Sequence, residues 1–486
     1  MIARLLPATL LAVCIARLWL MPLGSSFWVD EAETAFVVHF GYHHPSLAIV
    51  PQITSSVYYW LPVAAEKMFG FSEAVFRLPS LMAMGIALFF IFRLAARLIH
   101  PEAGWFAVFA CLAIRGIDYE AGNARPYALG ICVASGALWA LVRWMDSKQW
   151  RDGLLFVVLA GLLWHVQLIY WPFYFIPVIY VMWHQRIPWA QAGAIFALLG
   201  LVLTPVLLTA LDVNRNGGET HAFAPDPSLR DLFGSFKFLL PVVCAGGTWL
   251  IFRRPLADAR GSEKSRDREG AVVTRSALAL ILGWWTLQPL CIYAFSRITG
   301  NSVFSPRYLS LGWPGTALAA TLAASYFMPD KHWRPLAVAL GAGALVFFGQ
   351  WNVLWPPHHN SDWRAASRAV NALDWGAATP VIFPSPFVEG EPPIWRPDYP
   401  LPGFLYCYLT VYPVTGDPYL LPYEDSPQAS RYAETLPHGR RFVIYGDNRN
   451  VHFWRDWFAA RPELRGWRNR PLGPFGDVDV ALFEAP

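Results

Sequence analysis

Three carboxylates fall within four positions in Phe27-Trp28-Val29-Asp30-Glu31-Ala32-Glu33-Thr34, just after the first apolar run. Charge beside a bilayer is costly unless it is solvated or used. Adjacent carboxylates in a partly dry site also repel, which raises one pKa toward the range suited to a general base. A local explanation competes. Asp30-x-x-Glu33 has capping-box spacing, in which Asp30 caps a helix and Glu33 reaches back to its backbone N–H. That explanation leaves Glu31 unused, and it does not exclude catalysis, because a cap holds one rotamer at a helix mouth. Both readings stand on these residues alone.

Three further clusters carry polar chemistry. Arg77-Leu78-Pro79-Ser80 is either an interfacial arginine beside a first-turn proline or an anion clamp, since guanidinium binds phosphate bidentately. Asp118-Tyr119-Glu120-Ala121-Gly122-Asn123-Ala124-Arg125-Pro126-Tyr127 holds both charge signs, with a structural Glu120–Arg125 pair as the plainer alternative. Ser305-Pro306-Arg307-Tyr308 adds a cation and hydroxyls. His39 and His43 share i, i+4 spacing but lack further ligands, His358-His359 reads as a solvated pair, and His165 as a packed, hydrogen-bonded residue. The six cysteines include no Cys-x-x-Cys and no Cys/His metal spacing, and they supply no disulfide framework.

The elements that must position these residues are membrane helices. The 486 residues are 55% hydrophobic and 15% charged, and apolar runs recur at the length of about 17–25 residues that crosses a bilayer. Eleven spans are expected, at 4–23, 78–99, 103–118, 125–144, 153–171, 173–185, 189–211, 232–252, 274–296, 308–328 and 335–355. The first, with Arg4 before it and Arg17 within it, reads as an uncleaved signal anchor. Lys and Arg are richer in the inner connections when the N-terminus is inside. That orientation puts Asp30, Arg77, Glu120, Arg125 and Arg307 on one outer face. Trp19, Trp60, Trp105, Trp144, Trp150, Tyr170, Trp171 and Trp189 stand near segment ends as interfacial anchors.

Residues 55–70 are apolar but short and are expected to lie in the outer interface. The stretch 256–270 reads as a flexible cytoplasmic loop. From about Pro356 the texture changes to a small water-exposed α/β domain, 356–486, with Asp362 as a helix N-cap. Strands are expected at Pro380–Pro384, Arg441–Tyr445 and Val478–Phe483, and a second helix at Val451–Ala460. The expected fold is a polytopic α-helical membrane domain, 1–355, followed by an extracytoplasmic α/β domain.

Together these motifs resemble those of the GT-C glycosyltransferases, in the group similar to protein mannosyltransferases and lipid A aminoarabinose transferases. Asp30-Glu31 is similar to that group's Asp-Glu in the first outer loop. Val57–Gly70 is similar to its Tyr-rich helix ending in Phe-Gly, and Arg77–Ser80 to its Arg-Leu-Pro-Ser. Ala124-Arg125-Pro126-Tyr127-Ala128-Leu129, Pro306-Arg307-Tyr308-Leu309 and Asp362-Trp363-Arg364-Ala365-Ala366 continue the likeness, in order. Val50-Pro51-Gln52-Ile53-Thr54 departs from it, lacking the family's second proline and a lysine for lipid phosphate.

The resemblance implies inverting transfer of a sugar from a polyprenyl-phosphate donor to an acceptor hydroxyl at the outer face of the cytoplasmic membrane. Asp30 would be the general base and Glu31 its partner. Arg77, Arg125 or Arg307 would neutralise the departing phosphate, and Tyr127 and Tyr308 would bind sugar or phosphate. Asp118 or Glu120 would serve the acceptor or a divalent cation, the one cofactor candidate. Acceptors span glycan, lipid and protein; membrane lipids are partners and nucleic acid is not. The competing classes are a transporter or flippase of lipid-linked saccharides and a non-catalytic scaffold. Against the first, carboxylates gather on one face and no paired broken-helix repeat is evident.

Overall fold

A computed structural model of the chain describes residues 2–50, 53, 55–184, 187–216, 225–252, 274–373, 378–391, 395–436 and 439–486. The expected 256–270 loop lies outside them. The chain forms two compact units: Met1–Pro22, Ser55–Leu61 and Arg77–Pro356 make one, and Leu23–Thr54, Pro62–Phe76 and Pro357–Pro486 the other.

The first unit is helical. Among the described residues, five helices are long and apolar enough to cross a membrane: Leu5–Gly24, Glu73–Leu98, Tyr127–Ser147, Trp189–Val213 and Arg275–Thr299. A sixth arises if Leu229–Ser235 and Leu239–Phe252, bent by 51°, count as one span. This is a multi-pass membrane protein. The other five expected spans fall on shorter apolar helices because the backbone breaks inside or beside them. Gly104–Leu112 ends before Ile114, whose extended backbone (φ −108°, ψ 96°) starts a separate helix, Arg115–Ala121. Trp150–Val166 stops at extended Gln167 (φ −159°), and Trp313–Ser325 follows a 3-10 turn, Pro306–Gly312. Leu168–His184 and Trp333–Phe348 complete the set. Residues 55–70 form a 3-10 turn, Val57–Tyr59, and a short helix, Trp60–Phe69.

Two expectations for this unit change. Trp19, Trp144 and Tyr170 are not interfacial anchors but are fully buried, whereas Trp60, Trp150 and Trp189 are exposed. A large aromatic at a segment end packs inward when neighbouring helices flank that end, and Trp19 and Tyr170 then need polar partners. Pro79 is not a first-turn proline. The helix begins at Glu73, with Ser72 Oγ accepting from Val75 N–H at 3.2 Å, so Pro79 sits two turns in.

Arg17 shows how the unit buries charge. It lies in a π-helical turn, Ile15–Leu20, that continues the first helix. Its guanidinium donates to the carbonyls of Gly349 (2.7 Å), Leu354 (2.6 Å), Gln350 (2.9 Å) and Val353 (2.7 Å). Trp351 packs against its face, 4.9 Å from the ring centroid. These carbonyls follow the C-terminus of Trp333–Phe348, where orphan acceptors and the helix dipole favour a cation.

The second unit is built on a five-stranded sheet. Its strands are β1 (Pro380–Pro384), β2 (Asp417–Leu421), β3 (Arg441–Asp447), β4 (Arg468–Pro471) and β5 (Val478–Glu484), in the order β2-β1-β3-β5-β4. The β2–β1–β3 pairings are parallel, while β5 runs antiparallel to β3 and β4. The short apolar runs of β1, β3 and β5 match the strands expected from sequence. β2 opens on Asp-Pro, and β4 (Arg-Asn-Arg-Pro) is a fully exposed edge with no apolar face to signal it. Helices Trp363–Asn371 and Asn448–Ala459 form as expected, with Asp362 capping the first through Ala365 N–H at 3.0 Å. Phe442 stacks on Phe483 at 4.6 Å in the core.

Residues from the first loop complete this unit. Tyr412 Oη accepts from Phe27 N–H at 2.8 Å and bonds Glu73 Oε1 at 3.0 Å. Arg364 pairs with the same Glu73 carboxylate, and Phe404 N–H donates to Ser46 Oγ at 3.1 Å.

Two stability predictions follow from these contacts. Arg17→Met strands four carbonyls and lowers unfolding free energy by about 2–4 kcal/mol, read as a lower thermal midpoint in detergent. Glu391 has its pKa pushed up to about 7 by burial, then by Glu424 and Asp425, against an ordinary value of 4.5. The native state therefore binds more protons than the unfolded one between these values, and stability falls as pH rises through that window. Glu391→Gln flattens this pH dependence of the midpoint.

Candidate functional site

The expected site residues divide between the two units: Asp30 and Glu31 belong to the second, and the other seven to the helical one.

In the second unit, helix Val29–Phe40 carries the three carboxylates. Its N-cap is Trp28, in extended conformation (φ −90°, ψ 174°), which puts Asp30 and Glu31 at the second and third helical positions. Glu31 is the residue that reaches back, accepting from Trp28 N–H at 3.4 Å. The expected frame, with Asp30 as cap and Glu33 as its partner, is thus corrected by two residues. Glu31, unexplained by that frame, has the capping task, and Glu33 lies in the second turn. Trp28 offers no short oxygen side chain, and an acid at the third position suits this helix start. All three carboxylates are buried, Glu31 completely. Acidic groups in the first turn are favoured by the helix dipole and the orphan N–H groups there. Asp30, unlike Glu31, is not the residue that closes the box. On the same helix His39 Nε2 meets Glu66 Oε1 at 3.0 Å.

In the helical unit Asp118, Glu120, Tyr127, Arg307 and Tyr308 lie on short helices or a helix start, Arg77 in the second turn of Glu73–Leu98, and Arg125 in the turn between two helices. Arg77 is fully buried and donates to the Pro22 carbonyl at 3.4 Å, so it is not an interfacial arginine. One turn on, Ser80 Oγ lies 3.1 Å from Tyr58 Oη and donates to the Arg125 carbonyl at 3.3 Å. Asp118 and Glu120 are buried on helix Arg115–Ala121. Asp118 Oδ1 accepts from Trp19 Nε1 at 2.9 Å, and Glu120 Oε2 from Asn123 Nδ2 at 2.8 Å. Arg125 reaches Tyr59 Oη at 3.5 Å. Tyr127 opens helix Tyr127–Ser147, and its ring lies 6.3 Å from that of Tyr308. The Arg307 guanidinium lies 5.4 Å from the Tyr308 ring, and the Tyr308 carbonyl accepts from Gln288 Nε2 at 2.9 Å.

Two groupings emerge. Ser80, Arg125, Tyr58 and Tyr59 join the helix of Arg77 to the Arg125 turn, and Tyr127, Tyr308 and Arg307 gather around the next helix start. Gln288 was not singled out from sequence, and the polar contacts of Trp19, Ser80, Tyr58 and Tyr59 were not, because hydroxyls and indoles beside apolar runs read as anchors or packing. Asp118 Oδ2 is buried without a hydrogen-bond partner among the described residues. No group of three or more His, Cys, Asp or Glu residues among the described ones is placed to hold a metal ion. All six cysteines are free thiols.

The dolichyl-phosphate-mannose-protein mannosyltransferase family model matches residues 54–209. The fold is similar to that of ArnT from Cupriavidus metallidurans in the apo state, with TM-score 0.55 and 13% identity over 98% of this chain and 97% of that one. ArnT from the same organism bound to undecaprenyl phosphate is similar at TM-score 0.53 and 12% identity, with the same coverage. No curated protein sequence matches the chain. The fold is therefore of the ArnT-like GT-C type, as the motif resemblance implies.

Trp19→Phe removes the indole donor of a buried carboxyl and is expected to cost about 1–3 kcal/mol. The check is the thermal midpoint of the purified variant. Trp19→Leu should lose more, by adding a packing defect.

Proposed function

We propose that this chain is an integral-membrane glycosyltransferase. It moves a sugar, with inversion, from a polyprenyl-phosphate-linked donor to an acceptor hydroxyl on the extracytoplasmic face of the cytoplasmic membrane. The observation that carries this reading is the GT-C fold along 98% of the chain. The mannosyltransferase family match over residues 54–209 supports it. The similar ArnT structure bound to undecaprenyl phosphate supports a polyprenyl-phosphate donor.

The environment of Asp30 supports the chemistry proposed for it. A buried carboxylate two positions into a helix, in the dipole-favoured first turn, is held in a fixed geometry at a helix mouth, which suits a general base. Asp30 takes the proton of the acceptor hydroxyl as the oxygen attacks the anomeric carbon. The bond from that carbon to the donor phosphate oxygen breaks, and polyprenyl phosphate leaves with the electron pair. A single displacement inverts the anomeric centre. Glu31 fixes the turn that carries Asp30.

Arg77, Arg125 and Arg307 are the cations proposed to neutralise the departing phosphate, a charge-stabilising role of the kind that dominates many rate enhancements. Tyr127 and Tyr308 are proposed to hydrogen-bond sugar or phosphate, and Asp118 and Glu120 to serve the acceptor or a divalent cation. The paired Tyr127 and Tyr308 rings are consistent with one binding surface.

Asp30→Asn keeps shape and hydrogen bonding but removes the base. It should lower kcat by about 10²–10⁴-fold while moving the donor KM little. The rate is read from sugar transfer by purified protein in lipid nanodiscs, and an unimpaired variant would remove Asp30 from the mechanism.

A further inference from the structure

The second unit also contains a cavity of ≈ 390 Å³, whose wall includes none of the residues assigned to catalysis above. Its wall is made by Ser25 and Ser26, by residues 359–362 and the helix that follows, and by residues 474–476. The size is within the range of about 300–1,000 Å³ typical of small-molecule sites.

The cavity is held open by bonds of its own. Asp362 N–H donates to the Phe475 carbonyl and Asp477 N–H to the Asn360 carbonyl, each at 3.0 Å. Ser361 and Gly476 form an antiparallel bridge between these strips. Gly476 has φ +73°, and a Cβ there would stand 1.5 Å from the Asn360 carbonyl oxygen, so only glycine fits. On the opposite wall, Ser25 Oγ accepts from His358 N–H at 3.0 Å and Ser26 Oγ from Arg364 N–H at 3.3 Å. Such preorganisation lowers the ordering cost of binding.

The lining chemistry selects the ligand. Arg364 is already matched by the Glu73 carboxylate and the Gly24 carbonyl. One turn on, Arg368 is exposed and makes no ion pair among the described residues. With the Asp362 carboxylate also at the wall, little net positive charge remains, too little for a polyphosphate or a nucleic acid. The other polar groups of the wall are Asn360, Ser361 and Asp362. Asn360 Nδ2 donates to Asp477 Oδ1 at 3.1 Å, the Ser361 hydroxyl meets His359 Nδ1 at 2.9 Å, and Asp362 Oδ1 caps Ala365 N–H. Each keeps further donor or acceptor capacity beside the arginines. Phe475 and Pro474 supply apolar flats beside them. Planar donor–acceptor groups match vicinal hydroxyls, and an apolar flat matches the C–H face of a sugar ring.

The cavity is also coupled to the carboxylate helix. The His359 ring stacks on Trp28 at 5.0 Å and 9°, and Trp28 is the N-cap of the helix carrying Asp30. Ser26 precedes Asp30 by four residues, a stretch that spans at most about 14 Å. We infer that this cavity binds the saccharide portion of the acceptor, which makes the acceptor a glycan or glycolipid, neutral or singly acidic. The word acceptor rests on the transferase reading; the saccharide site does not.

The test uses the full chain in nanodiscs with neutral and uronic-acid-containing trisaccharides, followed by calorimetry and by transfer. Saturable binding is expected, weakened about tenfold by Arg368→Ala and also by Asn360→Ala. Arg468→Ala, on the exposed edge strand β4, serves as the control with unchanged affinity. Absence of saturable binding, or equal affinity in all variants, overturns the inference. Efficient transfer to a peptide with no saccharide binding also overturns it and leaves the transferase reading intact. Saccharide binding with no transfer from any lipid-linked donor supports the site and defeats the transferase reading.

Discussion

An ion placed among apolar side chains costs several kcal/mol unless hydrogen bonds or opposite charge replace its lost water. This chain buries Arg17, Arg77, Asp118, Glu120 and Arg125 in its helical unit, and Asp30, Glu31 and Glu33 in the other. Much of the local architecture reads as the solution to that cost. Arg17 closes the carbonyl end of Trp333–Phe348, Trp19 is drawn inward to Asp118, and Asn123 turns back onto Glu120. Glu31 satisfies the N-cap amide of its own helix. Several of these contacts fix a helix end, among them those of Arg17, Asn123 and Glu31.

The same constraint gives some buried charges a visible structural task. Arg17 is consumed by four carbonyls, and Glu31 closes a capping box. Asp30 sits beside that box without closing it, on the dipole-favoured first turn. In the helical unit, Arg77 and Arg125 lie on elements joined through Ser80, while Tyr127, Tyr308 and Arg307 converge at a second helix start. Transfer of a sugar from a lipid phosphate needs a base and cations for the leaving group, the roles proposed for Asp30 and for Arg77, Arg125 and Arg307.

The architecture was largely legible in the sequence, because bilayer-length apolar runs and short apolar, β-branched and aromatic runs between turn residues are strong signals. Asp362 as a cap and β1, β3 and β5 follow directly from local chemistry. The eleven expected spans coincide with helices, but among the described residues only five or six are long enough to cross alone, with interruptions such as those at Ile114 and Gln167 shortening others. Those interruptions are backbone conformations at residues with no Gly or Pro to announce them. The frame of the carboxylate helix slipped by two residues because Trp28 is an unusual N-cap. Trp19 and Tyr170 were misread because an aromatic at a span end has the same signature whether it faces lipid or a neighbouring helix. The pairing of 360–362 with 475–477 joins residues more than a hundred positions apart, and no local pattern marks it.

The central claim concerns which bond breaks. Purified protein in nanodiscs, given a sugar-labelled polyprenyl-phosphate donor and an acceptor, can be followed by mass spectrometry of both products. Glycosyl transfer predicts one free polyprenyl phosphate for each sugar gained by the acceptor, with the opposite anomeric configuration. In sealed vesicles, recovery of the intact lipid-linked sugar on the opposite leaflet, with no free polyprenyl phosphate, would contradict the account and point to a flippase.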